Sequence, residues 1–310
     1  MGGIRKVICE LCGEPATTLD QGCCPVCMAL LALPLSSNLP ASPRSAVPAA
    51  PRAATASLAV VTGGNRGIGR AIVERLLDYG LDVHVIDVDG SNSDDLSRYA
   101  ASQQRHLTTT VADVADGPAM RRTIDALGRE RGGIQVLVNN AGVFHAARFA
   151  EHSRASWDRQ FAVNVTAAFE LSQAVVPWMP VKGDARIVNI ASVVGKFGGA
   201  FAAGYVASKH AIVGLTQAAA LDLAPLGINV NAIAPGLVNT EMGKQITREI
   251  APLAGDAGPE QTLHHLVEQI PQHRLLQPRE VADLAIYLVS PAAAGVTGQV
   301  INVSGGWLVS

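Results

Sequence analysis

From Leu58 onward the chain alternates short apolar runs with longer stretches in which apolar residues recur every three or four positions. The short runs predict strands at 58–62, 83–87, 107–111, 134–139, 185–191, 228–233 and 299–303. The longer stretches predict helices from near Gly67 and over about 118–131, 155–177, 205–224 and 278–288. Strands that are apolar at nearly every position are buried on both faces. The pattern therefore predicts an α/β class: a doubly wound, parallel, seven-stranded sheet with helices on both faces. Ligands of such sheets sit at the carboxyl ends of the strands, near the reversal of strand order.

The pattern stops short of the first residues and divides the chain in three. Residues 1–33 are rich in cysteine, and residues 34–57 have no hydrophobic period. The latter hold Pro34, Pro40, Pro43, Pro48 and Pro51 among Ala and Ser and read as an extended linker. Residues 58–310 form the main domain. All five cysteines fall in the first 27 residues, as Cys9-Glu10-Leu11-Cys12 and Cys23-Cys24-Pro25-Val26-Cys27. Cys9, Cys12, Cys24 and Cys27 make two knuckles presenting four thiolates, the set that structural zinc prefers. Cys23 is able to replace Cys24, and the gap between the pairs is a little shorter than in most zinc ribbons. So short a segment has little core, and metal would hold it together. A redox dithiol pair, an iron site and an unstructured tail with reactive cysteines are the competing readings.

Composition narrows the partners. Hydrophobic residues make up 48%, charged residues 16%, and the net charge is −2 with no long basic run, which argues against nucleic acid. No apolar stretch is long enough to span a membrane, and the start lacks the apolar core of an export signal. With cysteines clustered as for metal, a reducing cytoplasm is the expected compartment.

Candidate chemistry begins at Thr62-Gly63-Gly64-Asn65-Arg66-Gly67-Ile68-Gly69, which follows the first strand and opens the first helix. Glycines there let a pyrophosphate approach the helix N-terminus, although a plain tight turn would look similar. Asp87 ends the second strand, 18 residues after Gly69. A carboxylate at that offset receives a ribose 2′-hydroxyl and repels a 2′-phosphate, favouring NAD(H) over NADP(H). Arg66 argues weakly the other way, and a solvated strand end is the plainer reading of Asp87.

Tyr205 and Lys209 lie four apart, on one face of a predicted helix. A phenol is a poor base at neutral pH, and a nearby ammonium lowers its pKa. Ser192 ends a predicted strand, where its hydroxyl can hold a substrate oxygen beside the phenol. Singly, each of these features fits an ordinary amphipathic helix or strand end.

Together they resemble the short-chain dehydrogenase/reductase superfamily over residues 58–310. The matching pieces are the glycine turn, Asn139-Asn140-Ala141-Gly142, Asn164, Ser192 placed 13 residues before Tyr205, Lys209, Pro235-Gly236-Leu237-Val238-Asn239-Thr240 and Thr297-Gly298-Gln299-Val300-Ile301-Asn302-Val303-Ser304-Gly305-Gly306. The resemblance implies a Rossmann fold and hydride transfer between a secondary alcohol and a ketone. It implies Tyr205 as general acid/base, Lys209 as the group that lowers its pKa and bonds the nicotinamide ribose, and Ser192 as the holder of the substrate oxygen. It gives Asn164 a helix kink and a water leading to Lys209. Gly63, Asn65, Arg66, Gly67, Ile68, Gly69 and Asp87 belong with the dinucleotide, Asp113 and Val114 with the adenine, Asn140 with the adenosine ribose, and Val238 and Thr240 with the carboxamide. It also implies a homodimer or homotetramer; whether Trp157 and Phe161 serve that interface or the core stays open.

His273 departs from the family's frequent glycine, and 241–272 should form a helical substrate lid. A 3-oxoacyl or polyketide-type ketoreductase, acting on a carrier-bound or free ketone, leads this reading, with the cysteine module docking a carrier or partner protein. A catalytically silent dinucleotide sensor and an epimerase or dehydratase with retained NAD are the alternatives.

Overall fold

The computed structural model describes residues 58–180 and 184–309, together with the backbone of Val7–Ile8 and Pro15–Ala16. Those two pairs form a short antiparallel ladder. Cys9, Cys12, Cys24 and Cys27 lie outside the described residues. Among the described residues, no cluster of His, Cys, Asp and Glu is arranged to hold a metal ion. No described helix is long and apolar enough to cross a membrane.

The main domain holds seven strands: β1 (Leu58–Thr62), β2 (Asp82–Asp87), β3 (Leu107–Val111), β4 (Val136–Asn139), β5 (Ala185–Ile190), β6 (Ile228–Pro235) and β7 (Val300–Val303). All pair in parallel, in the order β3-β2-β1-β4-β5-β6-β7. The order reverses between β1 and β4, so the crevice opens beyond the carboxyl ends of those two strands.

Successive side chains of a strand point to opposite faces. Ala59 and Val61 therefore join one core with α1 (Gly67–Asp78), α2 (Ser93–Ser102) and α9 (Pro278–Val289). Leu58 and Val60 join the other, with α3 (Gly117–Arg131) and α5 (Ala167–Val175). Every residue of β1 is buried, as a strand covered on both faces must be.

The helix expected over 155–177 is composite. Helix α4 (Arg154–Phe161) leads into a π-helical turn over Ala162–Thr166 before α5 resumes. Trp157 and Phe161, both half-buried, stack on each other at 4.8 Å. The long helix α6 (Ala203–Leu223) carries the Tyr–Lys pair. The segment expected to form a lid holds two helices, α7 (Glu241–Ala254) and α8 (Pro259–Glu268), with a left-handed Gly255 between them.

Candidate active site

A cleft of about 1110 Å3 runs along the carboxyl ends of the strands, from Asp87 and Asp113 past Ser192 and Tyr205 to the lid. At its first end the chain turns sharply out of β1. Gly63 has φ +64° and Gly67 φ +56°, both in the left-handed region that favours glycine. A Cβ on Gly69 would fall 2.0 Å from the Gly63 carbonyl oxygen, so nothing larger fits. Arg66, at the N-cap of α1, makes no side-chain capping bond, which leaves the first-turn N–H groups of α1 facing the cleft.

Asn140 braces this turn, its Nδ2 donating to Thr62 O and Gly63 O at 2.9 Å each. Thr62 Oγ1 accepts from the N–H groups of Asn140 and Ala141 at 3.0 Å each. The residue opens the glycine motif, so a signal for it was present, yet sequence reasoning gave it no role.

Asp87 is buried at the end of β2. Its Oδ2 accepts the Asn65 N–H at 3.0 Å and its Oδ1 the Asp89 N–H at 3.1 Å. Each oxygen keeps a lone pair for a hydroxyl donor in the cleft. Arg66 is exposed, and its charge helps hold the Asp89 carboxyl below its ordinary range, behind the larger effect of bonds from Ser91. Asp113 and the buried Val114 line the cleft after β3. Burial pushes the Asp113 carboxyl up, but bonds from Arg159 and the Ala115 N–H leave it below the usual range. The Arg159 partner, 2.7 Å away, had no signal in the sequence.

The catalytic candidates converge from three elements. Ser192 follows β5 and caps a short 3-10 turn, its Oγ accepting the Val194 N–H at 3.4 Å. Its side chain also hydrogen-bonds Tyr205. Tyr205 and Lys209 are both buried on α6. Phe144, from the loop after β4, meets the Tyr205 ring edge-on with centroids 5.2 Å apart.

Burial pushes the Tyr205 phenol up to about 12, against the Ser192 bond that pulls it down. Burial likewise brings the Lys209 ammonium down to about 8. In this geometry burial, and not Lys209, has the largest effect on the phenol. Lys209 Nζ lies 5.6 Å from the centre of the Tyr205 ring and donates to Ile190 O at 2.7 Å, so desolvation outweighs attraction.

Asn164 sits in the π-helical turn. The widened turn turns its amide to Val143, whose N–H donates to Oδ1 at 2.8 Å and whose carbonyl accepts from Nδ2 at 3.0 Å. Nδ2 also donates to Ser208 Oγ at 3.0 Å, and Ser208 Oγ donates to Tyr205 O at 2.8 Å. Asn164 thus braces the Tyr205 turn through Ser208, a residue of the quoted motif that sequence reasoning left without a role.

Beyond the catalytic candidates Val238 is buried, and Thr240 Oγ1 caps α7 by accepting the Gly243 N–H at 3.1 Å. A Cβ on Gly67 would lie 3.3 Å from Thr240 Cγ2, so the glycine turn and the start of the lid adjoin. The lid is fastened to the loop after β4: Glu249 Oε2 accepts the Ala146 N–H at 2.8 Å, and Gln245 Nε2 donates to Phe144 O at 3.2 Å. Every site residue expected in the main domain, except the inward-facing brace Asn164 and the buried Asn65, lines this one cleft.

Residues 63–308 match a family model described as enoyl-(acyl carrier protein) reductase. The chain is 36% identical over 260 residues to a granaticin polyketide synthase putative ketoacyl reductase of Streptomyces violaceoruber, covering 83% of this chain and 95% of that protein. It is 34% identical over 251 residues to the 3-oxoacyl-[acyl-carrier-protein] reductase FabG of Vibrio cholerae, covering 80% and 96%. Among solved structures, an actinorhodin polyketide ketoreductase with NADPH superposes with a TM-score of 0.76 at 35% identity, over 81% of this chain and 97% of that one. An NAD+-bound xylitol dehydrogenase superposes with a TM-score of 0.77 at 29% identity, over 81% and 99%.

Proposed function

As the chain belongs to the short-chain dehydrogenase/reductase superfamily, we propose that it is an NAD(H)-dependent ketoreductase of the 3-oxoacyl or polyketide type. The observation that carries this reading is the buried Ser192–Tyr205–Lys209 group beside a glycine cradle that ends at Asp87. The cradle fits a dinucleotide, because its glycines leave no room for side chains and its helix N-terminus offers free N–H groups. Gly63, Gly67, Ile68 and Gly69 would hold the pyrophosphate, Asp87 the adenosine ribose, and Val238 and Thr240 the carboxamide. When bound, the dinucleotide supplies or takes up the hydride.

The side chains do the rest. Tyr205, protonated at neutral pH, donates its proton to the carbonyl oxygen in the reductive direction. Ser192 holds that oxygen beside the phenol, and the charged Lys209 stabilises the tyrosinate left behind. Asn164 fixes the helix turn on which Tyr205 sits. The preference for NAD(H) rests on Asp87, a buried carboxylate on the cleft where a 2′-phosphate would be repelled.

The test is NADH and NADPH oxidation with 3-oxoacyl thioesters and simple ketones, beside Tyr205→Phe. Turnover with NADH that the variant loses supports the reading. Retained NAD without net turnover would favour the epimerase alternative instead.

The four cysteines Cys9, Cys12, Cys24 and Cys27 are proposed to hold structural zinc, in a module joined by the linker 34–57 that docks a carrier or partner. Loss of one equivalent of zinc on changing Cys9 and Cys12 to Ser is the expected result, and a metal-free native preparation overturns it. The assembly is proposed to be a homodimer or homotetramer, which sedimentation would settle.

A further inference from the structure

Past Ser192 and Tyr205 the cleft is walled by aromatic and aliphatic side chains, with Phe144, Phe201, Met242 and Ile246 among them. Phe201 is out of the ordinary in its backbone, with φ +61°. A bulky side chain avoids that region, and glycine occupies it without strain. Gly198 and Gly199 stand just before it, so the loop is already built from glycine. The strained residue is nonetheless held in place. The Ala147 N–H donates to Phe201 O at 2.8 Å. The Arg148 guanidinium lies 5.9 Å from the Phe201 ring centre and donates through Nη2 to Leu253 O of the lid at 3.2 Å. Strain maintained by its surroundings in a cleft wall marks a side chain kept for its ring.

Gln245 spends its amide on Phe144 O and Glu249 Oε1. Of the cations that line the cleft, Arg159 pairs with Asp113, Arg66 stands at the glycine turn, Arg248 is exposed on α7, and Lys209 bonds Ile190 O. Phe197 and Trp307 line the same cleft as an edge-to-face pair, centroids 6.2 Å apart. A flat apolar ring among these side chains would find aromatic faces and edges.

We infer that Phe201 is a specificity-determining residue, whose ring selects ketones carrying a flat ring over open-chain ketones. The inference rests on the reductase reading above. It is tested with 2-tetralone, 2-octanone and one 3-oxoacyl thioester, on the full chain and on Phe201→Gly and Phe201→Tyr. The full chain should turn over 2-tetralone at least tenfold better in kcat/KM than 2-octanone. Phe201→Gly should raise KM for 2-tetralone tenfold or more, change kcat and the 2-octanone KM by less than threefold, and melt no lower than the parent. Calorimetric titration of 2-tetralone into the protein should show the same tenfold loss of affinity, and Phe201→Tyr should restore both. A Phe201→Gly variant that binds 2-tetralone as well as the parent, or that melts several degrees lower, overturns the inference. So does a parent that prefers 2-octanone. If the thioester is reduced without this selectivity, the inference falls alone; if nothing is reduced, the reductase reading falls with it.

Discussion

Lys209 Nζ lies 5.6 Å from the centre of the Tyr205 ring, yet its hydrogen bond goes to Ile190 O. The two groups share one buried turn of α6 without forming a direct phenol–ammonium bond. Their titrations therefore separate, with the phenol pushed up to about 12 and the ammonium brought down to about 8.

A pH profile follows from that separation. The proton donor of the reduction stays loaded across the neutral range, while Lys209 is charged only below about 8. Reduction, as kcat/KM, should be flat at lower pH and fall as pH rises through about 8. Lys209→Arg, whose guanidinium keeps its charge, should move the fall upward. A rate that climbs toward alkaline pH would refute this.

Tyr205→Phe removes the proton donor and leaves the ring against Phe144. It should cost about 10²- to 10⁴-fold in kcat, with dinucleotide binding within twofold. Stopped-flow turnover and a binding titration together check it.

Asp87→Ala removes the proposed acceptor for the ribose hydroxyl. The kcat/KM ratio of NADH to NADPH should fall by about tenfold or more, each tenfold corresponding to ~1.4 kcal/mol. An unchanged ratio would place the discrimination elsewhere.

His84, buried on β2, sits between Thr108 Oγ1 at 2.7 Å and Thr110 Oγ1 at 3.0 Å. Burial, with Arg131 nearby, lowers it from 6.5 to about 4, so the folded state keeps it neutral. The unfolded chain binds a proton below 6.5 that the folded chain refuses. This contribution is whole above 6.5 and is lost as pH falls toward about 4, by up to about 3 kcal/mol. Urea unfolding at pH 7 and pH 4.5 should show the drop, and His84→Gln should lessen it.

His273 has φ +47°, which explains why a glycine is the easier residue there. His273→Gly should stabilise the domain by up to about 1 kcal/mol, or roughly 2–4 °C in Tm. A lower Tm would mean that the imidazole makes a compensating contact.

The strand pattern carried most of the fold. β1 falls where its apolar run places it, because burial on both faces leaves an unbroken apolar signature, while β3, Leu107–Val111, also falls where expected although as an edge strand it has no buried residue. β4 begins at Val136 and not at 134, since the Ile134 N–H bonds Trp178 O outside the sheet. Helix α2 was missed: among its ten residues only Leu96 and Ala100 are buried, too few to set a period. The glycine turn, Asp87, Ser192, Tyr205 and Lys209 were legible because local geometry constrains them. Phe144 against Tyr205, Arg159 on Asp113 and Glu249 on Ala146 were not, since the fold alone brings such distant positions together. The bond of Lys209 to Ile190 O was not legible for a related reason: spacing shows that Lys209 is near Tyr205, but not where its hydrogen bond is directed.

The interior position of β1, between β2 and β4, also sets a schedule for the chain's assembly. β1 pairs with β2 on one side, but its other partner is β4, with Ala59 opposite Val136. Closing so long a loop is slow relative to local pairing. The Asn140 bonds to Thr62 O and Gly63 O form only after that closure, so the anion cradle is acquired late. In refolding followed by pulsed hydrogen exchange, the Asn140 and Ala141 amides, which bond Thr62 Oγ1, should gain protection with β4 and after β2. A nascent chain cut before residue 140 would carry the glycine motif without the power to grip a dinucleotide.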